Sequence, residues 1–338
     1  MPGLRLDRWL LGGLLGQAAE PSAGVGAVCC TGTMFEGFEE TLIEVEPGVA
    51  LHVRTAGSGT PVVLLHGYPQ SGLCWHRVAP ALAEHHAVVV PDLRGYGRSS
   101  TPADDAEHTV YSKRRMALDI VAVMNALGHG RFAVVGHDRG GRVAYRSALD
   151  HPERVERLCT LDIVPTIEQF ELLSSSRRAA IFGFHWYFLA VPPPLPEALI
   201  GAEPELYLEQ VMGKWTGTTP GAEAITPEAM AAYVRDFTPA VIAASCADYR
   251  AGATFDSDLD EADRQAARTI ACPVHALWGD RRSDAANDTV LATWRRWTAT
   301  DQPVTGRPMP CGHFIPEERP ELCTDELVAF LAGATRAR

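Results

Sequence analysis

The segment "VVGHDRGGRVAYR", residues 134–146, puts a carboxylate, Asp138, at the centre of a G-x-D-x-G frame made with Gly136 and Gly140. The same frame with Ser at its centre forms a sharp strand-to-helix turn that pushes the central side chain out over the strand ends. "RFAVVGHD" has the apolar run of a buried strand, and "RGGRVAYRSALDHP" after it reads as a helix. Asp138 is therefore a candidate nucleophile. The backbone N–H of Arg139, at the helix start, is a candidate oxyanion donor. A carboxylate suits an sp³ carbon that bears a leaving group, because it can displace that group directly and form an ester. A capping Asp on an ordinary strand–helix loop is the plainer alternative for the pentapeptide alone.

Two further segments complete a catalytic set. "HGYP" (66–69) follows the apolar run "PVVLLHG", in the position from which a loop supplies a second oxyanion donor, here the N–H of Tyr68. "CGHFIPEE" places His313 in a loop before the last helix, so the chain order is nucleophile, acid, base. Three carboxylates compete for the acid: Asp162 in "TLDIVP", and Asp280 and Asp284 in "ALWGDRRSD". Arg139 and Arg142 flank the nucleophile, with Arg142 one helical turn beyond it on the same face. Guanidinium forks bind carboxylates bidentately, so the pair could hold an anionic substrate against Asp138. Surface pairing of these arginines with Asp150 or Glu153 is the bland alternative.

With these residues in place, the sequence resembles the α/β-hydrolase family over nearly everything after residue 40. Within it, "GHDRGGRVAYR", "LDIVPT" and "GHFIPEE" resemble the haloacetate (fluoroacetate) dehalogenases. Haloalkane dehalogenases and epoxide hydrolases share the Asp nucleophile but usually carry Trp directly after it, where this chain has Arg139. The resemblance implies Asp138 as nucleophile, His313 as general base and Asp162 as the acid that orients it. It implies Arg139 and Arg142 as the carboxylate-binding pair, and His185 and Trp186 in "FHWYF" with Tyr249 in "CADYRAG" as halide contacts. Trp215 in "KWTG" is implied as a pocket wall. No cofactor and no metal are expected, and His137, His185 and His275 have no metal-site spacing. The expected reaction is hydrolytic dehalogenation of a small anionic haloacid. An epoxide hydrolase is the rival enzyme, with Tyr187, Tyr207, Tyr233 and Tyr249 as candidate proton donors. A small-molecule receptor on the same scaffold is the non-catalytic reading.

The elements that must position these residues follow from periodicity. "TLIEVEPGVALHVRTAG" reads as a hairpin about Pro47-Gly48, and "HRVAPALAEHH" as a helix. "AVVVPDL" (87–93) is a buried strand, and "SKRRMALDIVAVMNALG" (112–128) an amphipathic helix with a Ser cap and a Gly stop. The resemblance and this alternation imply an α/β-hydrolase fold: a mostly parallel eight-stranded sheet with helices on both faces and a helical cap inserted after the sixth strand. The expected organisation is a poorly ordered extension (1–33), core (34–165), helical cap (166–265) and core again (266–338). Met34 reads as a plausible start.

Composition narrows the partners. The chain has 338 residues, 46% hydrophobic and 21% charged, as an ordinary globular protein does. A formal net charge of −12 argues against nucleic acid and means that an anionic substrate needs a local cationic pocket. No apolar run is long enough for a membrane helix. The eight cysteines lack paired metal spacing and read as free thiols of a reducing, cytoplasmic compartment. A homodimer is a compatible assembly.

Overall fold

The computed structural model describes residues 34–217, 224–280 and 284–333, without the side chains of 284–288. The expectations for residues 1–33 and for the Asp284 carboxylate lie outside these described residues.

Eight strands form one sheet in the order β1-β2-β4-β3-β5-β6-β7-β8. They are β1 (Glu39–Glu46), β2 (Val49–Ala56), β3 (Thr60–Leu65), β4 (His86–Pro91), β5 (Phe132–His137), β6 (Val155–Leu161), β7 (Val274–Gly279) and β8 (Val304–Met309). β2 runs antiparallel to β1 and β4, and the remaining pairs are parallel. β5 and β7 are buried along their whole length, which is why their sequences are continuous apolar runs rather than alternating ones. The first hairpin turns at Pro47-Gly48, where Gly48 takes a φ of +79°.

The flanking helices are α1 (Ala79–Ala83), α2 (Lys113–Ala126) and α3 (Arg139–Asp150). The Ser112 hydroxyl caps α2 by accepting the Arg115 N–H at 3.2 Å, and Gly128 closes it at φ +79°. The helix expected over "HRVAPALAEHH" is only five residues long. Pro80 can begin a helix but not sit inside one, and β4 already starts at His86.

Between β6 and β7 the described residues build eight α-helices, α4 (Thr166–Ser174), α5 (Arg177–Phe182), α6 (Phe184–Leu189), α7 (Leu195–Ala202), α8 (Pro204–Trp215), α9 (Pro227–Asp236), α10 (Pro239–Ala251) and α11 (Ser257–Gln265), with a π-helical turn (Gly252–Asp256) joining the last two. They cover the end of the sheet where β5 meets α3. Buried ion pairs tie this cap to the core. Arg146 of α3 binds Asp260 and Asp263 of α11, and Arg139 and Lys113 both bind Asp248 of α10. The chain returns through α12 (Asp284–Trp297), α13 (Ile315–Glu318) and α14 (Pro320–Leu331). Cys74, Cys159, Cys246, Cys272 and Cys323 are free and buried, and Cys311 is buried. Among the described residues no helix is long and apolar enough to cross a membrane.

Candidate active site

Asp138 stands at the turn from β5 into α3 with φ +47° and ψ −117°, a conformation that L residues rarely adopt. The two frame glycines make the turn possible. A Cβ on Gly136 would lie 2.4 Å from the Gly140 carbonyl oxygen, and one on Gly140 would lie 2.4 Å from that of His66. Side chains at either position would push α3 off the sheet. Gly67 is bound in the same way, because a Cβ there would stand 2.4 Å from the Cβ of Asp138. The "HGYP" loop therefore lies directly against the nucleophile candidate, and the Tyr68 N–H donates to Asp138 Oδ1 at 3.0 Å. The Arg139 N–H belongs to the first turn of α3, whose N–H groups have no partner within the helix.

His313 lies between β8 and α13. Its Nδ1 is 2.6 Å from Asp162 Oδ2, and its Nε2 is 3.9 Å from Asp138 Oδ2. Asp162 follows β6 at φ +54°, and its other oxygen accepts the Gly279 N–H at 3.0 Å. Of its rivals, Asp280 is exposed on the surface. Burial opposes charge on Asp138, but the fields of His313, His137, Arg142 and Arg139 outweigh it and hold its carboxyl below the ordinary value. Burial would likewise depress His313, but its hydrogen bond to Asp162 and the charges of Asp162, Asp138 and Glu318 raise it. The Asp138 carboxyl is thus held below its ordinary value beside a His313 imidazole held above its own.

A cavity of about 540 Å³ opens over these groups, and Asp138, Asp162, His313, Arg142, His185, Trp186 and Trp215 all line it. Arg142 is 1% exposed, donates through Nη1 to the Val164 carbonyl at 2.8 Å and lies 4.4 Å from the Trp186 ring centroid. Among the described residues it has no ion pair, and its Nε is buried without a partner. Burial and the neighbouring Arg139 pull it below the usual guanidinium value, as expected of a cation short of anions. His185 is pushed down to about 3, by burial above all, so its imidazole is neutral, and its Nδ1 is buried without a partner.

Arg139 departs from the expected bidentate substrate clamp. Its Nε and Nη2 donate to the two carboxylate oxygens of Asp248 at 2.8 and 2.6 Å, so its fork is already filled by a carboxylate of the cap. Only Nη1 is left without a partner, and Arg139 is not on the cavity wall. Tyr249 is also off the wall. Its ring packs edge-on against Tyr68 at 5.3 Å and Trp186 at 5.6 Å, with the Arg139 guanidinium 4.2 Å above it. Neither arginine pairs with Asp150 or Glu153, and Asp150 is held instead by Arg114, Arg146 and Arg268.

Three residues of the site escaped sequence reasoning. Asp248 neutralises Arg139, and nothing local in "CADYRAG" pairs the two. Glu318 accepts the N–H groups of Phe314 at 2.9 Å, Gly312 at 2.8 Å and Gly217 at 2.7 Å, so one carboxylate holds both neighbours of His313 and the end of α8. His137, kept neutral with a pKa near 4 by burial and then by His313, donates from Nε2 to the His313 carbonyl at 2.8 Å. The Glu317-Glu318 doublet directly after "GHFIP" was the available signal for Glu318.

Residues 60–213 match the family model for the alpha/beta hydrolase fold. The chain is 41% identical over 302 residues to a fluoroacetate dehalogenase from a Burkholderia species, covering 89% of this chain and 96% of that one. It is 35% identical over 291 residues to a soluble epoxide hydrolase from Corynebacterium sp. strain C12, covering 84% and 94%. A solved structure assigned to the α/β hydrolases, from Nostoc sp. PCC 7120, superposes with a TM-score of 0.82 at 47% identity, covering 90% of this chain and all of that one. With the strand order and the elbow at Asp138, these likenesses establish that the chain belongs to the α/β-hydrolase family.

Proposed function

We propose that the chain hydrolyses haloacetates, converting a haloacetate and water into glycolate, halide and a proton. The observation that carries this reading is Arg142, a buried cation with no ion pair among the described residues, on the wall of the same cavity as Asp138. A substrate carboxylate is the charge it is short of, and binding it there brings C2 to the nucleophile. The Burkholderia relative, a fluoroacetate dehalogenase, supports the same substrate class.

The two oxygens of Asp138 divide the work. Oδ1 is held by the Tyr68 N–H, which leaves Oδ2 to attack C2. The C–X bond breaks as the O–C2 bond forms, and the halide leaves with the bonding pair. Donors that include His185 meet the developing charge, and fluoride needs them most. His313 then takes a proton from water, which adds to Cγ of the ester. The tetrahedral oxyanion forms at Oδ1, on the Tyr68 and Arg139 N–H groups, and collapse expels glycolate and restores Asp138. Asp162 holds the imidazole in the tautomer this requires.

The Corynebacterium relative is a soluble epoxide hydrolase, so epoxide opening is the competing activity. It calls for phenols beside the nucleophile, and no tyrosine is on the cavity wall among the described residues. Tyr207 is hydrogen-bonded to Tyr68 and Tyr233 to Glu317. The deciding experiment offers the purified chain fluoroacetate, chloroacetate and styrene oxide. Halide release from the acids is expected. Diol formation from the epoxide without halide release would overturn the assignment, and silence on all three substrates would favour a receptor.

A further inference from the structure

The cavity is far larger than a haloacetate. Such an acid fills the space of roughly three water molecules, on the order of 90 Å³, whereas the cavity measures about 540 Å³. The excess lies under the cap helices α4 and α5, where an apolar patch of Leu172, Leu173, Ala179 and Phe182 sits beside Gln169, Arg178 and the serines of the turn between the two helices. Its character differs from that of the floor. The floor carries two carboxylates, two imidazoles and a guanidinium, while the four side chains of the patch have no polar atom. Leu173 is buried, and Gly183 backs it so closely that a Cβ there would stand 2.3 Å from the leucine Cδ2, so this wall is packed rather than loose. Leu172 and Phe182 are 43% and 55% exposed, which leaves apolar surface open at the mouth of a charged site.

We infer that the preferred substrates are 2-halocarboxylates bearing an apolar substituent at C2. This rests on the dehalogenase reading above. With the carboxylate on Arg142 and C2 at Asp138, haloacetate offers only hydrogen to the remaining space. A substituent of about four to six carbons, at roughly one water volume per carbon, fits in that space and covers Leu172 and Phe182. The reaction stays balanced: R–CHX–COO⁻ and water give R–CHOH–COO⁻, X⁻ and a proton. Only the first step touches C2, because water attacks the Asp138 carbonyl carbon, so the product carries inverted configuration.

The test is steady-state halide release by the full chain from bromoacetate, 2-bromopropanoate, 2-bromobutanoate and 2-bromohexanoate. Each added methylene that reaches the apolar wall tightens binding by about fourfold. KM is therefore expected to fall at least tenfold from 2-bromopropanoate to 2-bromohexanoate. Leu172→Ser and Phe182→Ser change half-exposed side chains, so both variants fold, and both are expected to flatten that ratio. Bromide release from bromoacetate with a flat or rising KM along the series overturns this inference and leaves the dehalogenase reading intact. A ratio unchanged in both variants overturns it as well. No bromide from any of the acids overturns the dehalogenase reading itself.

Discussion

Asp162 Oδ2 and His313 Nδ1 are 2.6 Å apart, while the other nitrogen of the same imidazole stops 3.9 Å short of Asp138. The imidazole is thus hydrogen-bonded to Asp162 but not to Asp138, the proposed nucleophile. A serine would need His313 to remove its proton before attacking, whereas the Asp138 carboxylate does not. In His313→Ala, halide release should therefore proceed to one equivalent per active site and stop, with steady-state turnover down by about 10²–10⁴. Mass spectrometry should find the glycolyl ester on Asp138. A variant that shows neither the halide burst nor the ester would remove the covalent mechanism.

The charges around His313 predict a pKa that changes during turnover. In the resting site Asp138 is among the groups that raise it, after the hydrogen bond and charge of Asp162. In the proposed mechanism esterification removes the Asp138 charge, so one source of the upward shift disappears. The base then becomes neutral at a lower pH, at the step that needs it neutral. Asp138→Asn carries the same neutral charge as the ester. NMR titration should give His313 a lower pKa in Asp138→Asn than in the native chain, and the native value should lie above about 6.5. An equal or higher value in the variant would contradict this coupling.

Much of this site was legible in the sequence because it rests on local geometry. Gly136, Gly140 and Gly67 occupy positions where a Cβ would strike a neighbour within 2.4 Å, so the elbow and the oxyanion loop have sequence signatures. The sheet was legible for a similar reason, since strands buried on both faces become continuous apolar runs. What was not legible is long-range pairing. Arg139 reads as a ligand for substrate beside Asp138, yet its partner is Asp248, a residue of the cap helix α10 brought against α3 by tertiary structure. The same holds for one partner of Glu318, the Gly217 N–H, which lies about a hundred residues away in the chain, whereas its other two partners, Gly312 and Phe314, are local.

The two arginines should therefore behave differently. Arg142→Lys keeps a cation but loses the planar fork, so kcat/KM for chloroacetate should fall by roughly two to three powers of ten with the fold intact. Arg139→Ala leaves Asp248 buried with only Lys113 as a cation, and losing one member of a buried pair costs about 3–5 kcal/mol. Its melting temperature should drop by many degrees. Chloroacetamide should be a poor substrate for the native chain, because it offers Arg142 no charge. Equal hydrolysis of chloroacetate and chloroacetamide would remove Arg142 from the role of carboxylate clamp.

Glu318 provides the sharpest separation of positioning from chemistry. It never reaches the cavity, yet its carboxylate holds the N–H groups on both sides of His313 and the Gly217 N–H beside Trp215. Glu318→Gln keeps the shape but turns one acceptor oxygen into an NH₂ group. If the amide oxygen keeps Gly312 and Gly217, the Phe314 N–H then faces a donor. A buried N–H without an acceptor costs about 1–3 kcal/mol, so the melting temperature should fall by a few degrees and the His313 loop should loosen. In the proposed mechanism only ester hydrolysis depends on His313. The single-turnover halide burst should stay within about twofold of the native rate, while steady-state turnover falls by about tenfold, roughly 1.4 kcal/mol on the second barrier. Rapid-quench measurement of both phases on chloroacetate checks this. If the burst and the steady state decline together, Glu318 supports the whole site rather than the base. If neither changes, its three hydrogen bonds do not position His313.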